Sequence, residues 1–266
     1  MRIARIAALV FAAVLTLAGA TARAQRGGAP AGAPPPTPKA AAPIDLTGYW
    51  VSIVSEDWRY RMVTPARGDY QGVPMTPDAV KVADAWDPAA DTAAGAQCKS
   101  YGAAAIMRVP GRIHVTWQDD STLRLDTDAG TQTRLFRFDP AGAASKAPAK
   151  GEPSWQGEST AQWETPGGGR GGRGAPPDAP KTGSLKVVTT NLKAGYLRKN
   201  GVPYSENAVV TEYFDLARER SGSELLVVTA VVEDARYLRQ PFIVSSQFRK
   251  QADAKGWDPS PCSATW

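Results

Sequence analysis

The chain has 266 residues, with 31 Lys and Arg against 26 Asp and Glu, one histidine and two cysteines. A single imidazole excludes metal centres built on two or three histidines, and no apolar run reaches the roughly 20 residues of a membrane helix. The formal charge of +5 does not define a polyanion-binding face. Eight basic residues (Arg2, Arg5, Arg23, Arg26, Lys39, Arg170, Arg173 and Lys181) fall in low-complexity segments, which leaves the remainder close to neutral.

The chain opens on MRIARIAALVFAAVLTLAGATARA, in which Arg2 and Arg5 precede an apolar run from Ile6 to about Leu17 and an Ala22-Arg23-Ala24 site. A charged start, a short apolar stretch and small residues at an A-x-A site read as a secretory signal peptide, so a periplasmic or secreted location is expected. Cleavage after Ala24 leaves 242 of the 266 residues, enough for one large β domain or two small ones. Residues 25–44 are Ala, Pro and Gly with almost no large apolar side chain, and a disordered leader is expected there. A single domain then fills 45–266.

Gly48–Val54 and Trp58–Thr64 read as a hairpin across Ser55-Glu56-Asp57. Thr76 and Pro77 open a short helix that should stop at Asp87, before Pro88, and a weak second turn covers Asp91–Ala96. Arg112–Gln118 alternates Ile113, Val115 and Trp117 with His114, Thr116 and Gln118, the period of two of a strand. Strands follow at Thr122–Thr127, Thr131–Asp139, Trp155–Glu164, Ser184–Asn191, Ala208–Leu216, Glu224–Glu233 and Phe242–Lys250. Ala141–Pro153 and Thr165–Gly183 read as flexible loops. About ten strands and so few helices predict an all-β fold. The economical form is a closed antiparallel up-and-down barrel of about 8–10 strands with one short helix, which removes exposed edges. An immunoglobulin-like sandwich is the alternative.

Several constellations bear on chemistry. An even pair of cysteines, Cys98 and Cys262, predicts a structural disulfide in an oxidising compartment, and no C-x-x-C suggests a redox pair. It would pin the C-terminal tail, KGWDPSPCSATW. His114 points into the barrel if Ile113, Val115 and Trp117 face outward, and to solvent if that trio is core. Glu212 turned inward beside Arg134 would make a buried pair suited to proton transfer, whereas Glu212 turned to solvent would be inert. His114, Glu212 and Arg134 are therefore the catalytic candidates. Asp119, Asp120, Asp126 and Asp128 fit turn chemistry rather than a Ca²⁺ loop. Gly157-Glu158-Ser159 fails the G-x-S-x-G pattern at Ala161. No metal or cofactor is expected.

Aromatic and cationic residues interleave along the strands, and Trp117, Trp155 and Tyr213 could wall a ligand cavity or equally fill a plain β core. The segment Asn191–Asn207, with Tyr196, Arg198 and Tyr204, is too long for a minimal hairpin. A structured loop at a barrel mouth suits a binding loop or a simple plug. Tyr101 and Arg108, in the stretch after Cys98, are expected to join it.

The stretches DLTGYWVS (45–52), CKSYGAAAIMRVPGRIHVTWQDD (98–120), TDAGTQTRLFRF (127–138), WQGESTAQWE (155–164), SLKVVTTNLKAGYLRKNGVPYSENAVVTEYFD (184–215) and VEDARYLRQPF (232–242) resemble a broad group of exported bacterial proteins. The resemblance covers about three quarters of the mature chain, implies a lipocalin- or avidin-like β-barrel and carries over no activity or catalytic residue. In that group the strand ending in Trp-Glu runs through a tight turn into L-x-V-V-x-T, so the loop at 165–183 is an insertion at a hairpin tip. The leading expectation is a carrier of a small, apolar or aromatic molecule. The alternatives are a cofactor-free lyase, hydratase or isomerase, and a cell-envelope interaction module. Neither nucleic acid nor stable membrane insertion is expected.

Overall fold

The computed structural model describes residues 35–139, 151–165 and 182–265. The expected signal peptide, the first part of the leader, the loop residues 140–150 and the insertion residues 166–181 lie outside them. The barrel unit begins at Pro36.

Nine strands close into a barrel in which chain neighbours are also spatial neighbours. In order these are β1 (Gly48–Ile53), β2 (Arg112–Asp119), β3 (Thr122–Thr127), β4 (Thr133–Phe138), β5 (Glu158–Glu164), β6 (Ser184–Thr190), β9 (Val209–Arg218), β10 (Glu224–Glu233) and β11 (Phe242–Gln251), which returns to β1. A two-stranded piece, β7 (Gly195–Tyr196) with β8 (Pro203–Tyr204), sits in the connection from β6 to β9. Every barrel pair is antiparallel except β4 with β5. Parallel neighbours need a crossover connection rather than a tight turn, and β4 and β5 are separated by a long stretch of chain. Glu164 pairs with Ser184 at the end of the antiparallel β5–β6 ladder, and the expected Gly/Arg/Pro insertion between them lies, over residues 166–181, outside the described residues.

The expected strand at Trp58–Thr64 is not formed. Trp58–Arg61 is instead one helical turn, α1. The partner edges of β1 are already taken by β2 and β11, so no edge remains for a hairpin with the following segment. Two further helices follow, α2 (Pro77–Asp84) and α3 (Pro88–Ala93). Thr76 caps α2 by accepting a hydrogen bond from the Ala79 amide, and Asp87 caps α3 through the amides of Ala89 and Ala90. Among the described residues no helix is long and apolar enough to cross a membrane.

The inward rows of the strands fill the barrel. Trp50, Leu123, Leu125, Phe136, Leu185, Val187, Phe214, Leu226 and Phe248 are all buried in one core. One polar layer interrupts it, made by Arg134 (β4), Ser159 (β5), Thr189 (β6) and Glu212 (β9). At one end, residues 38–46 fold across the opening: the Trp163 indole donates to Pro38 O at 2.8 Å, the Lys39 amide to Asp120 O, and the Trp50 indole to Leu46 O at 3.0 Å. This part of the expected leader is therefore ordered by its contacts with the barrel. The other end is roofed by residues 55–110 and 191–208, which bring Met75, Ala79, Leu197, Val202 and Tyr204 into a second apolar core with Phe242 of β11.

Candidate functional site

The roofed end gathers three arginines from segments that are far apart in the chain. Arg61 ends α1, Arg108 ends the 3-10 turn Ile106–Arg108 just before β2, and Arg198 lies between β7 and β8. They are 3%, 7% and 4% exposed, and they line a small cavity of about 20 Å³ with Tyr60, Leu197 and Lys199. Arg61 Nε donates to Arg108 O at 2.8 Å, and Arg198 Nη1 donates to Gln71 O at 2.7 Å. Tyr60 lies flat below Arg198, with the guanidinium carbon 4.0 Å from the ring centre, a favourable cation–π arrangement.

Among the described residues one carboxylate lies within ion-pair distance of this cluster, while Glu56 acts on Arg61 and Asp69 on Arg198 from farther away. Asp57 Oδ2 accepts from Arg108 Nη2 at 2.9 Å and lies 3.8 Å from Arg198 Nη2. Arg61 Nη1 and Nη2, Arg108 Nη1 and Arg198 Nε are buried with no hydrogen-bond partner among the described residues. A buried charged donor without a partner is costly, and buried unsatisfied groups in native proteins call for an explanation. The electrostatics agree. Burial first, then the neighbouring Arg198 charge, brings Arg108 down to about 10, with Asp57 opposing. Burial likewise lowers Arg61 and Arg198. Three buried guanidinium groups with one carboxylate at ion-pair distance and four unpartnered nitrogens form an arrangement that can accept an anion.

Lys199 lies beside it. Its Nζ donates to the Tyr101 hydroxyl at 2.6 Å, and burial brings its pKa down to about 8. The same burial raises the phenols of Tyr101 and Tyr204. The Tyr196 hydroxyl donates to Asp91 Oδ2 at 2.9 Å, and its pKa is raised first by burial and then by that bond.

Of the residues singled out in the sequence for ligand binding, Tyr101, Arg108, Tyr196 and Tyr204 lie at this end, but only Arg108 lines the cavity. Trp155 is nearby, where its carbonyl accepts from the Ala103 amide. Trp117 lies at the opposite end with Phe138 and Trp163, and Tyr213 is on the outer face beneath Lys186. The three catalytic candidates do not form one constellation. Arg134 and Glu212 do pair inside the barrel, at 2.9 Å between Nη1 and Oε1 with a second bond from Nη2, and both side chains are fully buried. His114 is on the outer face, stacked on Tyr49 at 3.9 Å with Trp257 edge-on. Its neighbours in the strand, Ile113 and Val115, are core, so the alternation turns His114 away from Glu212. Cys98 and Cys262 form the expected disulfide.

The sequence does not single out Asp57 or Lys199, and it offers Arg61 only as one of the cations interleaved with aromatics in an expected strand; neither periodicity nor spacing shows that an arginine in an irregular segment turns inward. A larger hollow of about 720 Å³ opens at the opposite end. Its acidic groups are already engaged: Asp45 accepts from the Thr47 amide, Glu164 faces Lys186 at 3.5 Å, and Asp215 accepts from the Ser184 hydroxyl. Among the described residues no group of three or more His, Cys, Asp or Glu is placed to hold a metal ion. No protein-family model, curated protein or solved structure matches this chain.

Proposed function

We propose that this is an exported, lipocalin- or avidin-like barrel protein that binds a small anionic ligand. The site is the cluster of Arg61, Arg108 and Arg198 at the roofed end, rather than the lumen. One observation carries the reading: among the described residues the three buried guanidinium groups have one carboxylate within ion-pair distance, which reaches Arg108 and Arg198 but not Arg61, and they keep four unpartnered nitrogens. The packed interior gives no support to an apolar guest held between the sheets. Proton-transfer catalysis by His114 with Glu212 finds no support either, because the two occupy opposite faces of the sheet.

The test is calorimetric titration and thermal shift of the purified protein with acetate, benzoate, phosphate and sulfate at neutral pH. At least one anion is expected to bind, and Arg108→Met is expected to weaken it by about tenfold or more, the loss of one charge-assisted hydrogen bond. Equal binding by the wild type and Arg108→Met would overturn the assignment, as would no binding by any anion. Recovery of the full-length chain from the periplasmic fraction, shortened by about 24 residues, tests export.

A further inference from the structure

Asp57 has two features that a purely structural ion-pair partner does not need. It is a non-glycine residue in the left-handed region, with φ of 51°, a conformation that L-residues other than Asn, Asp and Gly rarely adopt. Its side chain is also 40% exposed, while the arginines it faces are buried. A partly exposed carboxylate, on a short turn between β1 and α1, is thus held against Arg108 and Arg198, two of the arginines that line the cavity.

The chemistry of the cavity is narrow. Arg61 spends its Nε on Arg108 O and keeps both Nη1 and Nη2 unpartnered. These two nitrogens form the end of the guanidinium fork that grips two oxygens of one carboxylate in parallel. About 20 Å³ accommodates a group little larger than one water molecule, so the flat two-oxygen head of a carboxylate fits better than a tetrahedral oxyanion. On the same segment Trp58, Met62 and Val63 are more than half exposed. They leave exposed apolar surface on the segment that carries Asp57 and Arg61.

We propose that the ligand is a small monocarboxylate with an apolar or aromatic body, and that Asp57 is a resident mimic of its carboxylate that the ligand displaces on binding. This rests on the reading of the arginine cluster as the ligand site. Displacement frees the Asp57 turn to move outward, and the incoming carboxylate takes over Arg108 Nη2 while engaging the two free nitrogens of Arg61. Asp57 is thereby a determinant of affinity. While it occupies the cluster only a fraction of the molecules is open to ligand, and the apparent affinity falls by that fraction.

The experiment titrates benzoate, phenylacetate, benzamide and phosphate into the wild type, Asp57→Asn, Asp57→Gly and Arg108→Met, each full length and checked by circular dichroism. Asn and Gly both tolerate the left-handed turn, so two independent variants remove the charge without forcing the backbone. Both are expected to tighten benzoate by about tenfold, with benzamide not binding and phosphate weaker than benzoate. Unchanged or weaker benzoate binding in both Asp57 variants would overturn the mimic, and so would a preference for phosphate. Loss of benzoate binding in Arg108→Met alongside an unresponsive Asp57 would leave the arginine site standing and remove only the mimic. Binding that ignores Arg108→Met removes both.

Discussion

Lys199 holds an ammonium group in a nearly dry setting, 4.4 Å above the Tyr101 ring and hydrogen-bonded to its hydroxyl. Burial lowers its pKa to about 8 from the ordinary 10.5. Between those values the unfolded chain binds a proton that the folded chain has released, so stability rises with pH across that window. The cost is fully present below pH 8 and is relieved as pH climbs towards 10.5. Tyr101, raised above its usual 10 by burial, acts in the opposite sense only above pH 10. Wild type is therefore expected to gain roughly 1–2 kcal/mol between pH 8 and 9.5 relative to Lys199→Met, at about 1.4 kcal/mol per pH unit. Urea melts of both proteins at the two pH values check it, and parallel curves would refute it. At His114 the expectation is a null result for binding. His114→Ala removes a ring stacked on Tyr49 but nothing from the arginine cluster, so benzoate affinity in calorimetry should stay within about twofold of wild type. The strand alternation at Arg112–Gln118 left two readings open, and the core position of Ile113 and Val115 decides between them.

At the level of elements, the polar layer joins four successive strands through Arg134, Ser159, Thr189 and Glu212. Breaking a buried ion pair strands the remaining charge, whereas replacing both partners with apolar groups removes the desolvation cost along with the attraction. Glu212→Leu is expected to destabilise the barrel by about 3–5 kcal/mol, and the double variant Arg134→Met/Glu212→Leu to recover most of that loss. Guanidinium unfolding of Glu212→Leu, Arg134→Met and the double variant measures the coupling. Additive losses would show that the pair contributes nothing as a pair. The strands of this layer were legible because their inward rows are apolar at every second position. The inward turn of Glu212 was legible only as an alternative, since a lone Glu in a strand gives no sign of its partner. The failure at Trp58–Arg61 has another cause. WRYRMVT has the aromatic alternation of a strand, but β2 and β11 already occupy both edges of β1, and edge occupancy is a property of the closed sheet. Asp57 and Arg61 were lost with that misreading.

Across the whole molecule, the roof over the arginine cluster is assembled from connections rather than from strands, and the disulfide ties one of them to the C-terminal tail. Cys98 lies in the 3-10 turn Gln97–Tyr101, and Cys262 in the tail, 164 residues away. The tail is also held by the Ser260 amide donating to Asp128 O, the Thr131 hydroxyl donating to Ser260 O, and the Ser263 amide donating to the Tyr101 hydroxyl. The cysteine count alone made this link legible, whereas the convergence of Arg61, Arg108 and Arg198 depends on how the long connections pack. Cross-linking a loop of this length removes denatured-state entropy worth about 5 kcal/mol in the loop-closure model, less any native strain. Cys98→Ser/Cys262→Ser is therefore expected to lower the unfolding free energy by roughly 3–5 kcal/mol. Because the tail contacts Tyr101, and Tyr101 anchors Lys199, the loosening should reach the roof before the sheet. Hydrogen exchange of the double variant should show faster exchange in residues 97–108 and 195–204 while the amides of β9 and β10 keep their protection. Uniform acceleration through barrel and roof would mean that the disulfide stabilises the fold as one cooperative unit, and that the roof has no separate stability for a ligand to draw on.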